Sequence, residues 1–260
     1  MTAAAIQALH AEHARALKLF DSLTDDEWAM ASGCAGWRVQ DVAQHMASTF
    51  HSLADPGSIE TGTTPDVEQN AEVPVQARRD WSVEQVKAEY REWSEKGIAT
   101  LAGMQQPPMA DMVVPIANLG SHPLRLLGNA IAFDHYCHLR HDIGAAVARA
   151  ADLPHDPLVL EVTIEWMLAG IPQMCAAALA ACDHGVNLVF TDLRHSVHHL
   201  CPGGEGELWT VAPGADDSLA ICITSAHDFV SWASKRADWR THAQLTDPAA
   251  AATLDAINVI

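Results

Sequence analysis

Apolar residues recur every three or four positions along four stretches of the first 152 residues, which is the spacing that places them on one face of a helix. The four predicted helices cover approximately residues 6–23, 37–53, 81–104 and 122–150. Segment 55–79 is rich in Pro, Gly, Thr and acidic residues, shows no such period, and is predicted to be a long surface connection or a lid. Four helices in this order predict a bundle.

Residues at the ends of these stretches agree with helix boundaries. Ser82 is a favourable N-cap residue for the third helix, and the prolines at 107–108 are predicted to end that helix. Ser121 or His122 is predicted to cap the fourth helix, with Pro123 in its first turn.

The composition changes after a linker at 153–157. An apolar stretch at 157–182 contains acidic residues, which favours a buried helix over a membrane span. Predicted strands follow at 186–192, 196–200, 207–211 and 218–224, and two further helices at 226–236 and 248–257. This order predicts a smaller α+β domain, and therefore two domains, 1–152 and 153–260.

The fourth predicted helix has polar residues in the middle of its apolar face. The face consists of Leu124, Leu127, Ile131, Asp134, His138, His141, Ala145 and Ala148. Asp134 and His138 project from the same side of the helix, about 40° apart, and His141 lies on that side too. Because a buried carboxylate without a partner costs several kcal/mol, we expect a metal ion or a tight ion pair here.

His45 interrupts the apolar face of the second helix in the same way. A His, Asp, His set from two helices is typical of a divalent metal site, and three protein ligands leave a position for water or substrate. With 15 histidines in the chain, hydrogen-bonded core histidines are the alternative, and spacing alone does not decide. His195, His198 and His199 form a weaker cluster in a predicted strand, without an acidic or cysteine partner.

Charge and cysteine content narrow the class of protein. The formal net charge of −18 argues against binding to nucleic acids or anionic membranes, which need a basic surface. The first residues lack the basic and apolar blocks of a signal peptide, and the six cysteines include no C-x-x-C pair. We expect a cytoplasmic protein with reduced thiols, either a monomer or a small homo-oligomer.

Two segments resemble the opening of the mycothiol-dependent maleylpyruvate isomerase family, within the DinB/YfiT-like superfamily. They read L-T-D-D-E-W at 23–28 and C-A-G-W-R-V-Q-D-V-A-Q-H at 34–45, and the family pattern is L-T-x-x-x-W followed by C-x-G-W-x-V-x-D-V-x-x-H. The resemblance implies that His45 is a metal ligand. It also implies that an acidic residue and a histidine four positions later, here Asp134 and His138, complete the set.

The resemblance is less regular after these residues. The family has Asp three positions after the second histidine, where this chain has His141, followed by Asp142. Both are candidates for an additional ligand or for support of the ligands. Residues 225–236 and 245–247 resemble the family's sterol-carrier-like C-terminal domain, which implies that Arg236 holds substrate carboxylates. The alternative for Arg236 is an exposed cation at a helix end.

The sequence therefore predicts an α+β chain, with an N-terminal DinB-like four-helix bundle and a smaller sterol-carrier-like domain that covers the site. The resemblance implies an actinobacterial enzyme that binds one divalent metal ion, with zinc favoured, and uses the low-molecular-weight thiol mycothiol. A metal-stabilised thiolate would add to a small electrophilic or carboxylate substrate, as in an isomerase. A mycothiol S-transferase in detoxification and a non-catalytic small-molecule-binding protein are the alternatives.

Overall fold

The computed structural model describes residues 2–204 and 206–259. The chain forms two compact units that divide after Pro154. The first unit is mainly helical and the second contains a five-stranded sheet, so the predicted α+β class is confirmed. Within the described part of the chain, every helix is too short or too polar to cross a membrane.

The first unit is built from helices. They are α1 (Thr2–Ser22), α2 (Asp25–Ala29), α3 (Val39–Ala54), α4 (Val67–Ala77), α5 (Val83–Met104), α6 (Leu127–Cys137) and α7 (Ala148–Ala151). Helix α3 packs along α5, and α1 packs against α5 and α6. Phe20 and Phe50 both meet the Tyr90 ring edge to face in the core. Burial of these faces is the main stabilisation expected for amphipathic helices.

The start of α5 agrees with the prediction. The Ser82 hydroxyl accepts a hydrogen bond from the Gln85 N–H, and the Gln85 side chain accepts one from the Ser82 N–H. The prediction of an aperiodic segment at 55–79 is wrong for its second half, where Asp66 caps α4. Only Pro74 and Val75 of α4 are buried, so the helix has too narrow an apolar face to produce a period.

The predicted start of the fourth helix is also wrong. Ser121 and His122 lie in a strand, β2 (Ser121–Pro123), which pairs antiparallel with β1 (Val113–Pro115). A 3-10 turn then precedes α6. The residue before a proline favours extended backbone, so His122-Pro123 continues a strand as readily as it opens a helix.

Helix α6 does not run on as an α-helix to residue 150. It continues as a π-helix, His138–Ile143, which contains one additional residue per turn. The π-helix ends at Gly144, where a Cβ atom would overlap the carbonyl oxygen of Arg140. The change of helix type begins at His138 and includes His141, two of the three polar residues in the predicted apolar face.

The second unit combines helices with a mixed sheet. The helices are α8 (Pro157–Met174), α9 (Ala176–Leu179), α10 (Ala226–Ala233), α11 (Trp239–His242) and α12 (Ala251–Ala256). The strands are β3 (Val186–Phe190), β4 (Val197–Cys201), β5 (Thr210–Pro213), β6 (Ala220–Thr224) and β7 (Ala243–Leu245). Their order is β5-β4-β3-β6-β7, and only the β3–β6 pair is parallel. The sequence predicts the first four strands but not β7 or α11, which are too short to show a period.

Candidate metal centre

Helices α3 and α6 bring three potential metal ligands together. His45 Nε2 lies 3.0 Å from Asp134 Oδ1, and His138 Nε2 lies 3.3 Å from the same oxygen. The imidazole rings of His45 and His138 meet edge to face, with centroids 4.9 Å apart. One donor atom from each residue lies within 4.8 Å of the other two. The three residues that the sequence proposes as ligands are therefore neighbours in space, while metal binding by them stays a prediction.

The Asp134 carboxylate has one oxygen without a hydrogen bond. Oδ2 is buried and has no hydrogen-bond partner among the described residues. His135 Nδ1 lies 3.5 Å away but donates to the carbonyl oxygen of Ile131. A buried acceptor left in this state costs about 1–3 kcal/mol. A cation bound by the cluster would remove this cost, and two imidazole nitrogens with one carboxylate oxygen are donors that zinc accepts.

The charges in this cluster depend on one another. Burial raises the pKa of the Asp134 carboxyl, but the adjacent His138 and His45 outweigh it and hold that pKa well below its usual range. Burial lowers the pKa of His138, whereas Asp134, helped by Asp142, raises it well above its usual range. Both directions favour a charged Asp134 carboxylate beside a protonated His138, so a cation that binds here competes with the His138 proton.

Asp142 holds the other ring nitrogen of His138. His138 Nδ1 donates to Asp142 Oδ2 over 2.7 Å, which leaves Nε2 directed at Asp134. Because the π-helix has an additional residue in its turn, the fourth residue after His138 rather than the third returns to this side. His141 contributes no atom to the cluster of His45, Asp134 and His138. A carboxylate in this position is the usual support for a metal-binding histidine.

The loop between α2 and α3 packs against the π-helix. The Gly33 N–H donates to the Asp142 carbonyl oxygen over 2.8 Å, and a Cβ atom at position 33 would lie 2.9 Å from Asp142 Oδ1. This close approach brings Cys34 Sγ to 3.9 Å from His138 Nδ1. Cys34 belongs to the family-like opening of the sequence, and its contact with a histidine 104 residues away was not predicted.

Trp37 lies beside His45 and is fixed by a residue that the sequence does not indicate. The two ring centroids are 5.5 Å apart, and Trp37 Nε1 donates to Glu72 Oε2 of α4 over 2.6 Å. Glu72 falls in the stretch predicted to be aperiodic, so no pattern pointed to it. Helix α4 thus contributes to the setting of the cluster by orienting an aromatic side chain.

The remaining predicted site residues lie in the second unit. Arg236 follows α10, where its N–H donates to the Ser231 carbonyl oxygen and its guanidinium to that of Ser234. Its assignment to substrate carboxylates stays a prediction. His198 and His199 are hydrogen-bonded to backbone carbonyl oxygens. Among the described residues, neither joins a group with metal-ligand spacing.

Comparisons with known proteins agree with the resemblance. Residues 9–138, half of the chain, match the model of the mycothiol maleylpyruvate isomerase N-terminal domain. The crystal structure of the mycothiol-dependent maleylpyruvate isomerase is similar over 95% of this chain and 93% of that chain, with a TM-score of 0.61 and 15% identity. A histidine-to-alanine mutant of that isomerase gives a TM-score of 0.56, with the same coverage and identity. At this identity, both show the fold alone.

The comparison with curated proteins finds no match. The match to the domain model covers most of α1 and all of α2 to α6, and it ends at His138, so it spans all three candidate ligands. The chain therefore belongs to the mycothiol maleylpyruvate isomerase N-terminal domain family.

Proposed function

We propose that this chain is a metal- and mycothiol-dependent enzyme of the maleylpyruvate isomerase type. The observation that carries the proposal is the cluster of His45, Asp134 and His138, with an unpaired carboxylate oxygen, in a chain of this family. The substrate would be a small electrophile with a conjugated double bond, and mycothiol would be the thiol cosubstrate.

His45, Asp134 and His138 would hold a divalent ion, with zinc favoured by the two imidazoles and one carboxylate. Such an ion, when bound, lowers the pKa of a coordinated thiol or water so that the nucleophile exists at neutral pH. Asp142 accepts the Nδ1–H of His138 and so keeps Nε2 in the form that binds metal. Trp37, tied to Glu72, bounds the cluster beside His45.

The isomerisation needs no net consumption of thiol. The thiol sulfur adds to one carbon of the cis double bond and a proton is taken up, which leaves a single bond free to rotate. Loss of the same proton and the same sulfur then restores the double bond in the trans form. Arg236 would bind a substrate carboxylate, for which a guanidinium offers two parallel hydrogen bonds.

The first test is zinc content in protein purified without chelator or a histidine tag. We expect His45→Ala and His138→Ala each to bind one zinc fewer per chain than the wild type, with helical content retained in the far-ultraviolet circular dichroism spectrum. His184→Ala, an exposed histidine of the second unit, is the matched control and should bind as the wild type does. Unchanged zinc content in the two site variants would show that His45 and His138 do not bind the metal ion.

The second part of the test is turnover with maleylpyruvate and mycothiol. An isomerase yields the trans isomer and returns all of the thiol in free form, whereas an S-transferase leaves a thioether on the product. A zinc-loaded protein without thiol-dependent turnover of this substrate would contradict the isomerase proposal. Arg236→Met should raise KM for the carboxylate substrate more than it lowers kcat, because it removes binding rather than thiol activation.

A further inference from the structure

A second cluster of metal-ligand side chains lies between α1 and α5. His10 and His13 are three residues apart on α1, so they share one side of that helix. Glu95 faces them from α5. The cluster shares no residue with the set formed by His45, Asp134 and His138.

The donor atoms of His10, His13 and Glu95 are close enough for one metal ion to bind all three. Glu95 Oε1 lies 3.3 Å from His13 Nδ1, and Glu95 Oε2 lies 3.9 Å from His10 Nδ1. One donor atom from each of the three residues lies within 4.8 Å of the other two. The His10 and Glu95 side chains are 51% and 60% exposed, so they can close the remaining gap by rotation without disturbing the core.

His13 is the fixed member of this cluster. Its side chain is only 9% exposed, and its Nε2 is hydrogen-bonded to Ser94 Oγ at 2.9 Å. When Nε2 carries the proton and donates it to Ser94, Nδ1 has a lone pair directed at the Glu95 carboxylate. Burial, ahead of the nearby charges, lowers the pKa of His13, so the neutral form that a metal ion requires is available at neutral pH.

We propose that His10, His13 and Glu95 bind a second divalent metal ion, of the zinc class, that joins α1 to α5. Two imidazole nitrogens and one carboxylate oxygen match zinc, and exposure of the cluster leaves room for water at the fourth position. Ser94 acts as a positioning residue because its hydroxyl holds the His13 ring, as carboxylates and carbonyls do at other metal-binding histidines. The net charge of −18 attracts cations to the protein as a whole.

The position of this ion implies a structural role. Both helices belong to the bundle, and they already pack on each other through their buried faces. Because its ligands come from both α1 and α5, this metal site forms only when the two helices are packed against each other. Its binding therefore stabilises the folded first unit and raises its Tm.

The test uses untagged, chelator-treated protein titrated with zinc alone. We expect His10→Ala and Glu95→Gln each to bind one zinc fewer per chain than the wild type, and to lose the part of the zinc-dependent rise in Tm that this ion supplies. Ser94→Ala should lower the affinity for this zinc ion by about tenfold, while the number of zinc ions bound at saturating zinc stays the same. Glu92→Gln, an exposed carboxylate paired with Lys96 on the same helix, is the matched control and should change nothing.

The same measurement in a His45→Ala/His138→Ala background separates the two sites. One zinc should remain there, and adding His10→Ala should remove it; if this background does not fold, the single variants in the wild-type protein decide. Thiol-dependent turnover, if present, should be unchanged by His10→Ala. Zinc binding that is the same in wild type, His10→Ala and Glu95→Gln would overturn the second site and leave the proposed function untouched.

Discussion

At the scale of single residues, Asp142 determines which ring nitrogen of His138 is available to a metal ion. It accepts the Nδ1–H over 2.7 Å, so that in the neutral ring Nε2 carries the lone pair. We expect Asp142→Asn to weaken zinc binding at His45, Asp134 and His138 by about 10–100-fold, because the imidazole loses its charged support. Competition with a chromophoric chelator measures this affinity. Asp152→Asn, an exposed neighbour, is the control, and an equal effect in both variants would refute the role of Asp142.

The residues of this site differ in how readily the sequence reveals them. Asp134 and His138 stand out because a carboxylate and an imidazole occupy an apolar helix face, and His45 does so on another helix. The choice between His141 and Asp142 could not be made, since an α-helical period places both near His138 and nothing in the sequence marks a π-helix. Glu72 was missed for a different reason, because the segment that carries it shows no period.

At the scale of elements, the π-helix is anchored on two sides. Gly33 of the α2–α3 loop contacts it at Asp142, and Glu12 of α1 contacts it at Arg140. Arg140 Nη1 lies 2.8 Å from Glu12 Oε2, and both side chains are fully buried. The Arg140 guanidinium lies over the Tyr136 ring, with its central carbon 4.0 Å from the ring centroid. These contacts hold the π-helix in place, and with it the His138 ring that meets His45.

The buried pair predicts a large effect on stability. Glu12→Gln leaves the Arg140 charge buried without its counter-ion, and we expect a loss of about 3–5 kcal/mol in the free energy of unfolding. Urea denaturation measures the loss. The double variant Glu12→Leu/Arg140→Met should lose less, since it removes both fully buried charges, although it also costs the contact of Glu12 with the partly exposed Arg15. The control is Glu92→Gln, which breaks only an exposed pair with Lys96 and should cost under about 1 kcal/mol. A small loss in Glu12→Gln would contradict this account.

At the scale of the whole molecule, the order of elements could be predicted and their irregular parts could not. Long helices with a wide apolar face, such as α3 and α5, and strands bounded by Gly and Pro turns show strong periods. Short elements such as β1, β2 and β7 depend on backbone pairing with another strand, which the pattern of apolar residues within three positions does not record. The same limit applies to α4, whose contacts bury only two residues.

The whole chain has 33 acidic and 15 basic residues, so only some carboxylates have a cation as partner, and we expect these carboxylates to stabilise the fold less as the pH falls. Glu27 of α2 is the clearest case: its hydrogen bonds, first to Arg149 of α7 and then to the Thr24 N–H, lower its pKa from 4.5 to about 2. A carboxyl with a depressed folded-state pKa stabilises the fold above pH 4.5, and the stabilisation is lost as pH falls through about 2.

Glu27→Gln should therefore reduce the loss of unfolding free energy as pH is lowered over that range, because the variant has no carboxyl to protonate. Urea unfolding at a series of pH values from 5 down to 2 measures the slope, which equals the difference in bound protons between the two states. Asp26→Asn neutralises a neighbouring carboxylate of α2 and serves as the control for charge alone. Parallel curves for Glu27→Gln and the wild type would show that the contact between α2 and α7 does not carry the acid sensitivity.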